Sequence, residues 1–213
     1  MQIAILLYEG MTALDAIGPY EVLRLLPGAT VHFVAETPGP TRTDSGFLSL
    51  VADTALSEVA QPDIVLLPGG PGTFAAASNE HILNWLRTAH ATTRWTTSVC
   101  TGSLILGAAG LLQGLHATTH WLLHAALERF GATYTPERYV QQGKIITAAG
   151  VSAGIDMALF LASEIAGDET AQAIQLALEY APHPPFNTGS PQQASAEIIE
   201  RAQHLLSGSN SNK

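Results

Sequence analysis

The strongest constraint on this chain is a series of short apolar runs, each about as long as one buried strand. Residues 3–8, 30–36, 63–68 and 95–99 are the clearest of them. The run Ile64-Val-Leu-Leu67 has no polar alternation, so both of its faces must be covered. Helices supply that cover. The 3.6-residue pattern predicts them over residues 14–26, 79–91, 101–111, 153–166, 169–180 and 193–206. Residues 37–60, rich in Pro, Gly, Thr and Ser, read as irregular or short antiparallel structure, and residues 138–149 as a strand pair around Gln142-Gly143. Strands alternating with helices predict a doubly wound α/β sandwich with a mostly parallel central sheet and helices on both faces. The expected organisation is one domain over residues 1–206 and a disordered tail over 207–213.

Composition narrows the function classes. Nine Lys and Arg stand against 18 Asp and Glu, for a net charge of -9, and no basic run occurs. A nucleic-acid surface needs clustered cations to displace counterions, so no nucleic-acid partner is expected. The single cysteine cannot form an intramolecular disulfide, which fits a reducing compartment. The N-terminus carries no basic segment or small-residue cleavage site, so no signal peptide is expected. Its apolar stretch is far shorter than the roughly 18 residues of a membrane helix. The expected address is the cytoplasm, with no membrane association.

In a doubly wound sheet, ligands bind beyond the carboxyl ends of the strands. Two small-residue segments fall there, Pro68-Gly69-Gly70 and Cys100-Thr101-Gly102-Ser103. The β-rich run Thr96-Thr-Ser-Val99 stops at the cysteine and a helical pattern opens after it. That arrangement predicts a nucleophile elbow, without the spacing of the serine-hydrolase motif. A helix N-terminus is expected to favour the thiolate there. The competing reading of Cys100 is a small buried hydrophobe. A thiol nucleophile needs a proton donor or acceptor, and Asp15, at the start of the helix after the first strand, is the candidate. Its competing reading is a plain helix cap. If the two touch, Asp15 must be protonated and buried, because an ionised carboxylate would raise the thiol pKa.

His116, His120 and His124 have i, i+4, i+8 spacing, but Leu115-His-Ala-Thr-Thr-His120 reads as a strand or turn rather than a helix, so no metal is expected. His120 is expected to line the pocket. Gly69-Gly70-Pro71-Gly72 lacks phosphate-loop spacing, and Gly69 and Gly70 are expected to place backbone N–H groups beside Cys100.

Three segments carry a family resemblance: Leu14-Asp15-Ala-Ile17-Gly18-Pro19; Ser98-Val-Cys100-Thr101 through Gly114 with Ala117-Thr-Thr-His120-Trp121; and Leu178-Glu-Tyr-Ala-Pro182 with Pro184-Pro-Phe-Asn-Thr-Gly-Ser-Pro191. They resemble the ThiJ/PfpI superfamily, of flavodoxin-like, glutamine-amidotransferase-like fold. Within it, Asp15 and Thr101 together point to the members that hydrate isonitriles; protease-like and glyoxalase-like members carry Glu at the acid, and many proteases carry His after the cysteine. Ala16 and Ile17 depart from the Leu-Thr pair usual in that branch.

The resemblance implies a homodimeric enzyme, with a small-molecule isonitrile as substrate and no cofactor. It implies Cys100, Asp15 and Thr101 as catalytic residues, and Gly69, Gly70, Ile17, Gly18, His120 and Trp121 as substrate-binding ones. Two alternatives stay open. One is another cysteine-dependent activity of the superfamily (glyoxalase, deglycase or peptidase). The other is a non-catalytic sensing domain related to AraC-type regulators.

Overall fold

The protein is described here by a computed structural model covering residues 1–208. Two compact units divide the chain, Met1–Leu178 and Glu179–Lys213. In chain order the first unit contains β1 (Gln2–Leu6), α1 (Ala13–Leu23), β2 (Thr30–Ala35), β3 (Gly39–Arg42), β4 (Ser49–Ala52), β5 (Thr54–Ala55), β6 (Ile64–Leu67), α2 (Thr73–Ala76), α3 (Glu80–Thr92) and β7 (Trp95–Val99). It continues through α4 (Gly102–Ala108), β8 (His116–Ala117), α5 (His124–Glu128), β9 (Thr133–Tyr134), β10 (Tyr139–Gln142), β11 (Ile145–Ala148), α6 (Ala153–Ala166) and α7 (Asp168–Ala177). The second unit contains α8 (Ala196–Gly208). The helix α8 includes residues 207 and 208 of the segment expected as a disordered tail, and the rest of that segment lies outside the described residues.

The seven-stranded sheet has the order β10-β11-β7-β6-β1-β2-β5. Every pairing is parallel except β10 with β11. The chain steps from β1 outward to β2 and, later, from β6 in the opposite direction to β7. Right-handed crossovers therefore put α1 and α3 on opposite faces. The doubly wound, mostly parallel α/β fold expected from the sequence is the fold observed. Residues 37–60 supply the β3–β4 antiparallel pair, as the composition suggests.

The central strands explain the unbroken apolar runs. Ile3, Ala4, Ile5 and Leu6 on β1 and all four residues of β6 are fully buried, because helices cover both faces. Truncating any one of these large side chains to Ala costs ~2–5 kcal/mol. Strand β7 is different: Thr96, Thr97 and Ser98 are buried in the middle of the sheet. The Thr97 hydroxyl donates to the Val65 carbonyl at 2.9 Å, and Thr96 Oγ1 lies 2.8 Å from both His90 Nδ1 and Thr93 Oγ1.

Helices α1, α4 and α7 each end three residues before their patterns do. Helix α1 ends at Leu23, close before Pro27, which disfavours helical backbone in the residue preceding it. Helix α4 ends at Ala108, before Gly110 takes a left-handed φ of 82°. Helices α1 and α6 pack against each other closely; a Cβ on Gly18 would sit 3.0 Å from Ile155 Cγ1, and one on Gly154 would sit 3.1 Å from Pro19 Cγ.

Candidate active site

Strands β1, β6 and β7 are neighbours and parallel, so their carboxyl ends open on one edge of the sheet. This edge includes the point between β1 and β6 where the winding reverses. Cys100 follows β7 there, with φ 57°. A left-handed conformation costs a non-glycine residue ~1–2 kcal/mol, and surrounding hydrogen bonds hold it. The Cys100 N–H donates to the Ala148 and Ala149 carbonyls at 3.0 and 3.1 Å. Its carbonyl accepts from Ser103 Oγ at 3.2 Å and Thr119 Oγ1 at 3.1 Å. A strained residue fixed from several sides is the expected mark of a functional bend. The elbow predicted from the sequence is present.

The thiol is not open to solvent in the way an elbow suggests. Cys100 is only 5% exposed. Burial, and then the neighbouring Asp15 carboxyl, push the thiol pKa up, against the N–H and hydroxyl of Thr101, which favour the thiolate. The expected thiolate-favouring effect of a helix N-terminus is therefore overturned. Helix α4 has only seven residues, and desolvation outweighs its dipole.

Asp15 is fully buried on α1, and its carboxyl and the thiol each perturb the other's ionisation. The Oδ2 atom accepts from the Gly69 N–H at 2.9 Å, while Oδ1 is buried without a hydrogen-bond partner. Burial raises the carboxyl to about 7; the Gly69 N–H and Cys100 oppose that rise, and Asp44 adds to it. At and below neutral pH the acid therefore carries a proton in much of the population. Asp15 makes no side-chain cap to α1. The reading as a plain helix cap fails, and the burial that a neutral acid requires is present.

Gly69 and Gly70 fill a different place from the one expected. The Gly69 N–H is committed to Asp15, and the Gly70 N–H donates to Thr101 Oγ1 at 2.8 Å. Both glycines are there because backbone runs against backbone. A Cβ on Gly69 would lie 2.4 Å from the Thr101 nitrogen and 2.9 Å from Cys100 Cβ, and one on Gly70 would lie 2.5 Å from the Thr12 nitrogen. The turn welds the ends of β1 and β6 to the elbow.

His120 lies at the end of β11, where a Cβ on Gly150 would meet its ring at 2.5 Å. Partial burial lowers its pKa, so the imidazole is neutral near pH 7. Trp121 packs against it with ring centroids 5.7 Å apart. Ile17 is half-buried and Gly18 is buried against α6. The three histidines of the i, i+4, i+8 spacing fall on β8, in the turn before residue 121, and at the start of α5, so they share no helix face. No cluster of three or more His, Cys, Asp or Glu able to hold a metal occurs among the described residues. No described helix is long and apolar enough to cross a membrane.

Three residues that the sequence reading did not assign belong to the site. Thr119 anchors the elbow carbonyl. Tyr8 and Thr73 are buried behind Thr101 in a line of hydroxyls. A tyrosine closing an otherwise aliphatic strand is the one sequence signal that points to them.

The comparisons fit this geometry. The model of the DJ-1/PfpI family matches residues 1–164. An isonitrile hydratase from Pseudomonas putida is 44% identical over 203 residues, covering 95% of this chain and 89% of the relative. A ThiJ/PfpI family protein from Pseudomonas syringae superposes with a TM-score of 0.92 at 41% identity, over 97% of this chain and 86% of the other. Drosophila melanogaster DJ-1beta, at 24% identity and a TM-score of 0.78 over 85% of this chain and 98% of its own, shares the fold. A family model over residues 1–164 and a relative 44% identical over 95% of the chain show that the chain belongs to the DJ-1/PfpI family.

Proposed function

We propose that this protein is an enzyme that adds water to an isonitrile to give an N-substituted formamide, with Cys100 as nucleophile and Asp15 as proton carrier. The observation that carries this reading is a fully buried carboxyl, Asp15, paired with the buried thiol of Cys100 at its strained bend, with burial raising the pKa of both groups. The near-full-length relative named isonitrile hydratase supports the substrate class.

The chemistry balances on these two side chains. An isonitrile carbon bears a lone pair and becomes electrophilic as it is protonated. Sulfur forms a bond to that carbon while the neutral carboxyl gives its proton to the same carbon and takes up the thiol proton. The product is a thioimidate, R–N=CH–S–Cys100, with Asp15 again neutral. Water then adds across the C=N bond: its oxygen goes to carbon, its proton passes to one carboxyl oxygen, and the acid proton of the other reaches nitrogen. Collapse of R–NH–CH(OH)–S–Cys100 breaks the C–S bond, returns the hydroxyl proton to sulfur and releases R–NH–CHO. No cofactor enters the scheme. The partnerless Oδ1 is the oxygen free to carry the proton, since Oδ2 accepts from Gly69. The Thr101 N–H faces the sulfur, and His120 with Trp121 offers a neutral aromatic rim for the substrate's organic group.

The reading includes a homodimer and a cytoplasmic address. Sedimentation equilibrium of the purified protein checks the first, and cell fractionation the second. The decisive test is incubation with cyclohexyl isocyanide. Appearance of N-cyclohexylformamide, lost in Cys100→Ala and in Asp15→Ala, is the expected result. No formamide from the intact protein, or undiminished turnover in Cys100→Ala, refutes it.

A further inference from the structure

Two carboxyl groups converge on the start of α1. Asp15 lies in its first turn, and the Asp15 N–H donates at 3.1 Å to the carbonyl of Thr12, the residue that opens the helix. The second carboxyl comes from the segment after β3. There Thr43 bridges Met11 in parallel register, and the Asp44 N–H donates to the Met11 carbonyl at 2.8 Å. Asp44 Oδ2 accepts from Thr12 Oγ1 at 2.7 Å. The Thr12 side chain makes no cap to its own helix; its hydroxyl is turned to Asp44 instead.

A helix start attracts negative charge, because its first N–H groups lack partners and the peptide dipoles add there. Two carboxylates at one helix start repel, so one of them is favoured to keep its proton. Burial decides which. Asp15 is 0% exposed, and ionising it strips a carboxylate of its water. Asp44 is half-buried, with one oxygen already held by a hydroxyl donor. The charge therefore goes to Asp44. Met11 and Thr43, where the two segments meet, are both buried, so salt screens the repulsion only in part.

We propose that Asp44, held by Thr12, is a positioning residue for the proton of Asp15: it takes the place for negative charge at the start of α1 and so favours the neutral acid. This deepens the proposed function, which needs that neutral acid beside Cys100. Burial is the larger cause of the raised Asp15 carboxyl, and Asp44 adds to it. Behind burial, Asp44 acts in the same direction on Tyr8.

The other groups around Asp15 stay as they are in the test. Cys100 and the Gly69 N–H oppose the rise of its carboxyl, and Tyr8 lies beyond β1. On the segments that meet at Met11 and Thr43, Glu9 and Arg42 are exposed. Glu9 Oε1 accepts the Arg42 N–H at 3.1 Å, and Arg42 Nη1 donates to the Gly46 carbonyl at 2.6 Å. On α6, which packs against α1, Asp156 pairs with Arg138, and on α1 itself Glu21 pairs with Arg24.

The test reads the Asp15 proton directly. The chain has six aspartates, so labelling their side-chain carboxyl carbon with 13C gives six signals, and the Asp15 signal is the one lost in Asp15→Asn. Its pH midpoint is followed by NMR from about pH 4 to about pH 9 in wild type, Asp44→Asn, Asp44→Ser and Thr12→Val. At low salt the midpoint is expected to fall by roughly half a pH unit in Asp44→Asn and Asp44→Ser, about a threefold rise in the ratio of ionised to protonated acid. The gap from wild type is expected to narrow at ~1 M NaCl. A midpoint unchanged or raised in the two neutral variants overturns the proposal. So do equal, salt-independent falls in Thr12→Val and the neutral variants, because the β3–β4 segment then only keeps water out. Asp44→Ser answers the question if Asp44→Asn does not fold. Turnover is not the readout: the gap between wild type and variant judges Asp44, and the absence of formamide judges the isonitrile reading, so the two failures are told apart.

Discussion

Replacing Asp15 by Asn gives a direct measure of the buried proton. The substitution keeps the side chain's size and leaves an oxygen for the Gly69 N–H, but it removes the ionisation. In the folded protein the carboxyl is held at about 7 against 3.8 in the unfolded chain. A folded pKa above the unfolded one means that the native state binds the extra proton. The associated stability is complete below the unfolded value and is lost as pH rises through the folded one. At ~1.4 kcal/mol per pH unit between the two values, the wild type sheds about 3 kcal/mol from about pH 4.5 to about pH 8. Asp15→Asn does not. His90 and His120, whose burial holds them neutral, titrate alike in both proteins and cancel in the difference. Urea unfolding of the two proteins, followed by tryptophan fluorescence at half-unit steps across that window, gives the comparison. The stability difference is expected to grow in favour of Asn with increasing pH. A difference that stays flat to within ~1 kcal/mol means that the carboxyl is ionised in the native protein, and the neutral-acid scheme fails with it.

Three further outcomes follow from the same geometry. In the proposed reaction the acid must be neutral in the free enzyme, so kcat/KM for cyclohexyl isocyanide is expected to fall as pH rises through about 7, about tenfold per unit beyond it; a rate that climbs across that range refutes the assignment. Gly69→Ala puts a methyl 2.4 Å from the Thr101 nitrogen; turnover is expected to vanish and thermal unfolding to show a loss of ~1–3 kcal/mol, and a fully active variant contradicts the welded turn. Thr119→Val removes one of the two side-chain donors to the Cys100 carbonyl, for a cost of ~1 kcal/mol, and combining it with Ser103→Ala is expected to cost more than the sum, because the second loss releases the strained bend; a double-mutant cycle measures the coupling.

Much of this protein was legible before its coordinates. The unbroken run Ile64-Val-Leu-Leu67 required a strand covered on both faces, and the alternation of such runs with helical periods required a doubly wound sheet. The stop of the β-rich run Thr96–Val99 at Cys100, with small residues after it, required a bend there. These are local facts: periodicity and the steric needs of a few residues determine them, and neighbours in the sequence express both.

Tertiary structure decided the state of the site. The acidity of Cys100 depends on how much water reaches it and on a carboxyl 85 positions away in the chain, and burial reverses the effect expected from the short helix that follows. The roles of Gly69 and Gly70 depend on Asp15 and Thr101 lying within reach of their N–H groups, which only the side-by-side order of β1, β6 and β7 arranges. Beyond a tyrosine closing an aliphatic run, nothing in sequence marks the hydroxyls of Tyr8 and Thr73; they become a line because two strand ends and a turn converge. A sequence states which groups are present and how the backbone near them runs, but desolvation and the direction of a hydrogen bond belong to the space between segments, and that space exists only once the chain has folded.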